Sequence, residues 1–247
     1  MPLLGPDSLI PRPHDPRLGP DLVVRSLAPV LLPERRRRIE RVLHRRVLSV
    51  TVVLENLHDP HNGAAAMRTC EAMGLHHIHV VEGREPFSFS RKVSVSAHKW
   101  LAVYLHPSIE ACLGYLAGAG FSCWAAMPPP LHARAADRIE VSVERPVALV
   151  FGNEHEGLTP RALALCPKRF SIPMHGFSES LNLSVSVSLA AREVVARRRV
   201  ALGRLGDLSP RALAQLRAFY YAVSARHAAA VVSRALNAQT ETAEIKG

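Results

Sequence analysis

The chain has 247 residues and a mass of 27.0 kDa, which suits one medium α/β domain with terminal appendages; 48% hydrophobic residues are ample for a packed core. A formal net charge of +10 and a pI near 10.2 point to a polyanionic partner, nucleic acid ahead of an anionic membrane surface. Cys70, Cys112, Cys123 and Cys166 form no CxxC pair, which argues against a zinc site or a disulfide framework and for core thiols in a reducing compartment. No run has the length of a membrane span and the start lacks the pattern of a signal peptide, so the expected location is the cytoplasm.

Residues 1–33 hold eight of the 19 prolines. That density disfavours both a continuous helix and a sheet, and predicts an extended tail whose second half lies on the surface. A basic helix is expected over 34–46, ERRRRIERVLHRR, with Ile39, Val42 and Leu43 on one face. Arg35 to Arg38, Arg41, Arg45 and Arg46 ring the rest, and a phosphate backbone would relieve their mutual repulsion.

From Val47 the pattern alternates. VLSVTVVLEN reads as a strand buried on both faces. HNGAAAMRTCEAMG reads as a helix that Asn62 starts and Gly74 stops. IHVVE is a short strand, SIEACLGYLAGAG a helix, and FSCWAAM another strand. PVALVF is a strand running into the loop GNEHEG, after which Thr159-Pro160 opens a helix in cap-then-proline order. RFSIPM is the next strand. This succession predicts a mostly parallel sheet flanked by helices. Residues 181–189, LNLSVSVSL, are ambiguous: the alternation is that of a strand, while a helix continuing through AAREVVARRRVALG would stack Leu181, Val185 and Leu189. After Gly206, SPRALAQLRAFYYAVSARHAAAVVSRAL reads as one or two helices, and the last ten residues as frayed.

Three segments following strands stand out, the position where α/β sheets place ligands. They are HDPHNGAAAMRTCEAMG, VFGNEHEGLTP and IPMHGFSESLNLSVSVSLAARE; each alone has an ordinary structural explanation. Taken together, PHNxxxxxRTCEAxG, the FGxExxG loop followed by ALAL, and IPMxGxxxSLNxSVxxxLxxxE resemble the three motifs of the SpoU/TrmH family of SPOUT RNA methyltransferases. RRRRIExVLxxR, AHKW at 97–100 and His106-Pro107 extend the likeness from about Arg35 to Gly203. Within the family it is nearest to the tRNA guanosine-18 2′-O-methyltransferases.

The resemblance implies a SPOUT domain over 47–203 with a deep C-terminal trefoil knot and a helix for 181–189; residues 204–247, which match only loosely, are expected from their own pattern to form a C-terminal helical extension. It implies S-adenosylmethionine as cofactor and tRNA as substrate. It also implies a homodimer formed by the first- and third-motif helices, with Ala64, Ala65, Ser184 and Ser186 allowing close approach. Arg68 is the implied key catalytic residue, with Asn62, Glu154, Ser180 and Asn182 around it. The cofactor is expected against Ala126, Gly152, Ile172, Met174 and Leu181, and RNA phosphates on Arg38 and Arg46. A guanidinium stays protonated in proteins, so the reading preferred for Arg68 is grip on a phosphate and stabilisation of the developing alkoxide. Gly63, His175 and Glu179 depart from the family's pattern and bear on substrate choice.

Other readings remain open. A ribosomal RNA methyltransferase of the same family and a non-catalytic RNA-binding protein of the same fold share these features; binding of S-adenosylmethionine separates the latter. A Rossmann enzyme would need a glycine-rich turn after its first strand, and GAG at 118–120 precedes a strand. Ser96 to Lys99 fit SxxK without the partner motifs of a serine hydrolase. His58 and His61 lack further spaced ligands, His76, His77 and His79 read as ordinary strand-edge residues, and no metal is expected.

Overall fold

The computed structural model describes residues 18–83, 99–129 and 139–246. Most of the tail (1–17), Ser96 to His98 of the SxxK match and the first two residues of AHKW lie outside them. Two compact units divide the described chain: Val47–Asp207 forms one, and residues 18–46 with 208–246 the other.

The first unit is built on a parallel sheet of six strands in the order β3-β2-β1-β5-β4-β6. The strands are β1 (Val50–Glu55), β2 (His77–Val81), β3 (Ala102–His106), β4 (Ser122–Ala126), β5 (Val147–Phe151) and β6 (Arg169–Phe170). The central pair is in register from Val50 opposite Val147 to Leu54 opposite Phe151, and every residue of both strands is buried. Continuous apolar runs such as VTVVLE and VALVF suit strands covered on both faces.

Alternation assigns the side chains to two layers. Val50, Val52, Leu54, Ile78, Val80, Leu149 and Phe151 pack with α3 (Pro60–Met73) and α6 (Leu183–Leu202). Val53, Val81, Ala148 and Val150 pack on the other side with α4 (Ile109–Gly118) and α5 (Pro160–Leu165). Where β1 begins, Leu48 N and Ser49 N donate to the Asp207 carboxylate at 2.6 and 3.0 Å, and Arg198 Nε donates to Ser49 Oγ at 2.9 Å.

Several details differ from the sequence expectations. Strand β3 had no counterpart: AVYLH is short and mixed because it lies at the sheet edge, with Leu105 exposed. Strand β6 keeps only two residues of RFSIPM. Asp59, not Asn62, caps α3, its carboxylate accepting from His61 N at 2.8 Å, which moves Asn62 into the first turn. His76, His77 and His79 are fully buried, because β2 is an interior strand. Residues 183–189 are helical, yet Val185 and Leu189 are exposed while Leu183, Val187 and Ala190 face the sheet. The Leu181–Val185–Leu189 stripe therefore does not pack into the fold of its own chain. Cys70, Cys112 and Cys166 are buried thiols and Cys123 is partly so.

The second unit is helical: α1 (Pro20–Leu27), a 3-10 turn at Ala28–Val30, α2 (Pro33–Leu43), α7 (Pro210–Ser224) and α8 (Ala228–Lys246). Helix α1 packs on α7 and α8, and α2 on α7. The extended reading of residues 18–33 is thereby corrected. Pro20 and Pro33 sit at helix starts, where a missing N–H costs nothing, and Leu22, Val23 and Leu27 gain burial. Glu40 of α2 accepts from Arg217 Nε and Nη2 of α7, both at 2.8 Å. Helix α8 continues to Lys246, through residues expected to fray. Among the described residues no helix is long and apolar enough to cross a membrane.

Candidate active site

Three segments converge beyond the C-terminal ends of the central strands, each fixed by its own local bonds. After β1, the Asp59 cap and Pro60 at the helix start set α3, so that Asn62 lies one turn in. After β5, the loop 152–158 closes on itself. Asn153 and Gly157 exchange main-chain hydrogen bonds at 3.2 and 3.1 Å, and Asn153 Oδ1 accepts from His155 N and Glu156 N at 2.9 and 2.7 Å. Only glycine fits at 152, since a Cβ there would stand 2.0 Å from the carbonyl carbon of Gly157. Past the loop, Thr159 caps α5 and is itself held by the buried Glu55 carboxylate, which accepts from its N and Oγ1 at 2.9 and 2.7 Å. After β6, residues 171–181 lead to Asn182, the N-cap of α6, whose Oδ1 accepts from Ser184 N and Oγ at 2.9 and 2.6 Å.

These caps determine what remains free to bond. With its oxygen committed to the helix end, Asn182 donates from Nδ2 to Asn62 Oδ1 at 3.0 Å. Asn62 in turn donates from its Nδ2 to the Glu154 carboxylate. The result is a one-directional chain, Asn182 to Asn62 to Glu154, tying together segments far apart in sequence. Each amide uses its donor and acceptor ends without conflict, which fixes the side-chain orientation.

The structure brings together Asn62, Glu154 and Asn182 of the expected catalytic set. It does not bring in Arg68 or Ser180. Ser180 is exposed and forms no hydrogen bond among the described residues. Arg68 lies six residues beyond Asn62 on α3, a rotation of roughly 120° about the helix axis. It shares an exposed stripe with His61, Ala65 and Ala72, and makes no hydrogen bond or ion pair among the described residues. Ala64, by contrast, is buried inside the chain.

Ala126 ends β4, Gly152 follows β5, Ile172 and Met174 follow β6, and Leu181 precedes α6; all five are half-buried. Among the described residues, 171–181 form no main-chain hydrogen bonds with other main-chain groups. Free peptide groups, half-buried at 171–174 and 181 and exposed at 175–180, beside a partly apolar rim fit a ligand that combines a purine, a ribose and an amino-acid moiety.

The two expected RNA contacts part company. Arg38 is exposed on α2, with Arg35, Arg37 and Arg41. Arg46 is fully buried, its guanidinium 5.6 Å from the centre of the Tyr220 ring. A side chain so enclosed presents nothing to a phosphate, and the expectation for Arg46 is corrected to a packing role.

Sequence reasoning missed Glu55 and Asn153, which shape the loop that carries Glu154. The signal for Glu55 was a carboxylate closing an otherwise apolar strand. Asn153 gave only an Asx-turn pattern of the kind many loops share.

The SpoU rRNA methylase family model matches residues 49–192. A relative from Thermus thermophilus named tRNA (guanosine(18)-2′-O)-methyltransferase is 38% identical over 164 residues, 66% of this chain and 83% of that one. Its namesake from Escherichia coli K12 is 34% identical over 167 residues, 68% of this chain and 72% of the other. The crystal structure of the Aquifex aeolicus TrmH/SpoU tRNA modifying enzyme aligns with a TM-score of 0.65 at 26% identity, covering 76% of this chain and 95% of its own. The family match contains the whole Asn62–Glu154–Asn182 chain, and on this footing the protein belongs to the SpoU methylase family.

Proposed function

We propose that the protein methylates the 2′-hydroxyl of guanosine 18 in tRNA, with S-adenosylmethionine as methyl donor, in the cytoplasm. The observation that carries this reading is the amide–amide–carboxylate chain from Asn182 through Asn62 to Glu154, set within a family match to methylases. The choice of tRNA and of nucleotide 18 rests on the relatives that carry that name. The exposed arginines of α2 supply the matching charge.

S-adenosylmethionine supplies an electrophilic methyl group when bound. Residues 171–181, with Ala126 and Gly152, hold it mainly through peptide groups, and Ile172, Met174 and Leu181 cover its apolar parts. The Asn182–Asn62–Glu154 chain keeps that segment, the β5 loop and the start of α3 in one geometry. Ser180 contributes a hydroxyl at the end of this segment. Arg68 grips the phosphate beside the reacting ribose and stabilises charge as the hydroxyl loses its proton; solvent or a phosphate oxygen takes the proton. The passage from β6 at one sheet edge to α6 over β1 and β5 is the segment that the knot implied by the family resemblance would use.

The working form is a homodimer. Ala65 on α3 and Val185 and Leu189 on α6 form an exposed, small and apolar surface, and a second copy docked there would leave Arg68 at the boundary between copies.

Transfer from tritiated S-adenosylmethionine to a tRNA transcript tests the assignment. Label should appear on wild-type transcript and vanish when guanosine 18 is replaced by adenosine. Label that persists at another nucleotide, or appears only on ribosomal RNA, refutes nucleotide 18 while keeping the reaction; no cofactor binding at all refutes the enzyme reading.

A further inference from the structure

On the α4 side of the sheet, away from the Asn62–Glu154–Asn182 chain, β2, β3 and α4 enclose a group of ionisable side chains that methyl transfer does not use. His77 and His79 of β2, His106 of β3 and Cys112 of α4 are all buried. The imidazoles form a relay: His77 Nε2 lies 3.0 Å from Leu48 O, His77 Nδ1 3.3 Å from His79 Nε2, and His79 Nδ1 2.9 Å from His106 Nε2. One carbonyl fixes every proton in it. Leu48 O can only accept, so His77 carries its hydrogen on Nε2 and offers a lone pair at Nδ1. His79 Nε2 must then donate to that lone pair, which leaves His79 Nδ1 unprotonated.

One ring nitrogen of His79, one of His106 and Cys112 Sγ all lie within 4.8 Å of one another, and His79 Nδ1 is the nitrogen that faces His106. We propose that these three atoms bind a zinc-class divalent cation. Two imidazole nitrogens and a thiolate are the donor set such an ion prefers. The His79 ring is already oriented as in metal sites, its second nitrogen donating to another side chain. Tyr104 stacks on His79 with centroids 5.1 Å apart at 18°, and Tyr115 lies 5.8 Å from His106, so the rings are walled in and their rotation is limited. Burial, and to a lesser degree Cys123 and the Glu55 carboxylate, push the Cys112 thiol up, so the thiol keeps its proton until an ion displaces it.

Binding exchanges protons in a defined way. Cys112 loses its thiol proton, which leaves as one H⁺ per ion bound. His106 moves its hydrogen from Nε2 to Nδ1 by exchange with solvent, freeing Nε2 as a ligand. His79 and His106 must separate by a few tenths of an ångström and tilt so that both lone pairs converge on the ion, since two nitrogens on one tetrahedral zinc stand roughly 3.3 Å apart given Zn–N bonds of about 2.0–2.1 Å. Three protein ligands leave a fourth position for water or a small ligand.

The test uses the full chain, stripped with chelator, given one equivalent of zinc and desalted. The expected result is one zinc retained per chain, one proton released on binding, and an X-ray absorption spectrum with one sulfur and two imidazole nitrogens. Cobalt in place of zinc should show thiolate-to-metal charge transfer. Cys112→Ala and His106→Gln should each weaken retention at least tenfold, whereas His44→Ala, at an exposed position just past the end of α2, should not. Wild-type protein that retains no zinc, or zinc whose spectrum contains no sulfur, overturns the proposal, and so does undiminished retention in Cys112→Ala. The absorption spectrum of the wild type decides the matter even if a variant fails to fold.

Discussion

The two units place their polar chemistry by opposite means. In Val47–Asp207, functional side chains stand on main chain fixed twice over: Glu154 sits on a loop locked by Gly152, Asn153 and Thr159, and Asn182 is itself a helix cap. In the helical unit, Arg35, Arg38 and Arg41 project from the open face of α2 with nothing to hold their heads, and Arg37 has only an exposed pair with Glu34 at 3.5 Å. Chemistry at a single atom requires fixed geometry, whereas attraction to a phosphate backbone tolerates many arrangements. The family pattern accordingly lies in the sheet unit, over residues 49–192.

Substitutions in the sheet unit should therefore be severe and specific. Gly152→Ala forces a Cβ against the Gly157 main chain. We expect no measurable methyl transfer, lost S-adenosylmethionine binding by calorimetry, and a stability loss of about 3 kcal/mol in urea melts. A variant that binds cofactor normally would show the loop to be less constrained than its geometry indicates. Arg68→Ala should lower kcat about 100- to 1,000-fold with cofactor affinity unchanged, since the side chain is exposed and supports no fold contact. Normal single-turnover rates would remove Arg68 from the mechanism. Asn182→Ala deletes both the α6 cap and the bond to Asn62. The cap alone is worth about 1 kcal/mol, and the loss of alignment should slow transfer about tenfold.

The helical unit should respond in small, additive steps. Arg38→Ala should flatten the slope of log tRNA affinity against log salt by about 0.7–0.9. Arg46→Ala should leave that slope alone and instead lower stability, because Arg46 is packed against Tyr220. Equal salt effects from the two would restore Arg46 to the RNA surface. The smallest change is expected from Arg217→Ala. Its pair with Glu40 is about a third exposed and water-screened, so the loss should stay near or below about 1 kcal/mol.

The sheet was legible because strands buried on both faces leave continuous apolar runs, and VALVF or VTVVLE can be little else. Edge strand β3 escaped notice for the converse reason: three of its five residues are partly or fully exposed and its composition is mixed. Helix α1 hid behind prolines that interrupt a helix internally but begin one well. Residues 183–189 show a deeper limit. Alternating serine and apolar residues satisfy a strand, and helical spacing left open which stripe faces inward; contact with β1 and β5 decided for Leu183 and Val187. The site was visible as three motifs, but not as a hydrogen-bonded chain. Which amide end of Asn182 is free depends on its helix cap, a fact of three-dimensional structure.

Glu40 and Arg217, which clamp α2 to α7, are 177 residues apart. During synthesis at about 5–20 residues per second, the first helices therefore wait roughly ten to thirty-five seconds for their partner to be made. Over that interval Leu22, Val23, Leu27, Ile39 and Leu43 have no native surface to cover them, while the sheet unit, whose strands all lie between, can complete its own contacts first. A run of like-charged arginines beside those apolar residues keeps nascent chains apart by repulsion. The charge proposed to meet RNA in the finished protein would thus also guard the unfinished one against aggregation.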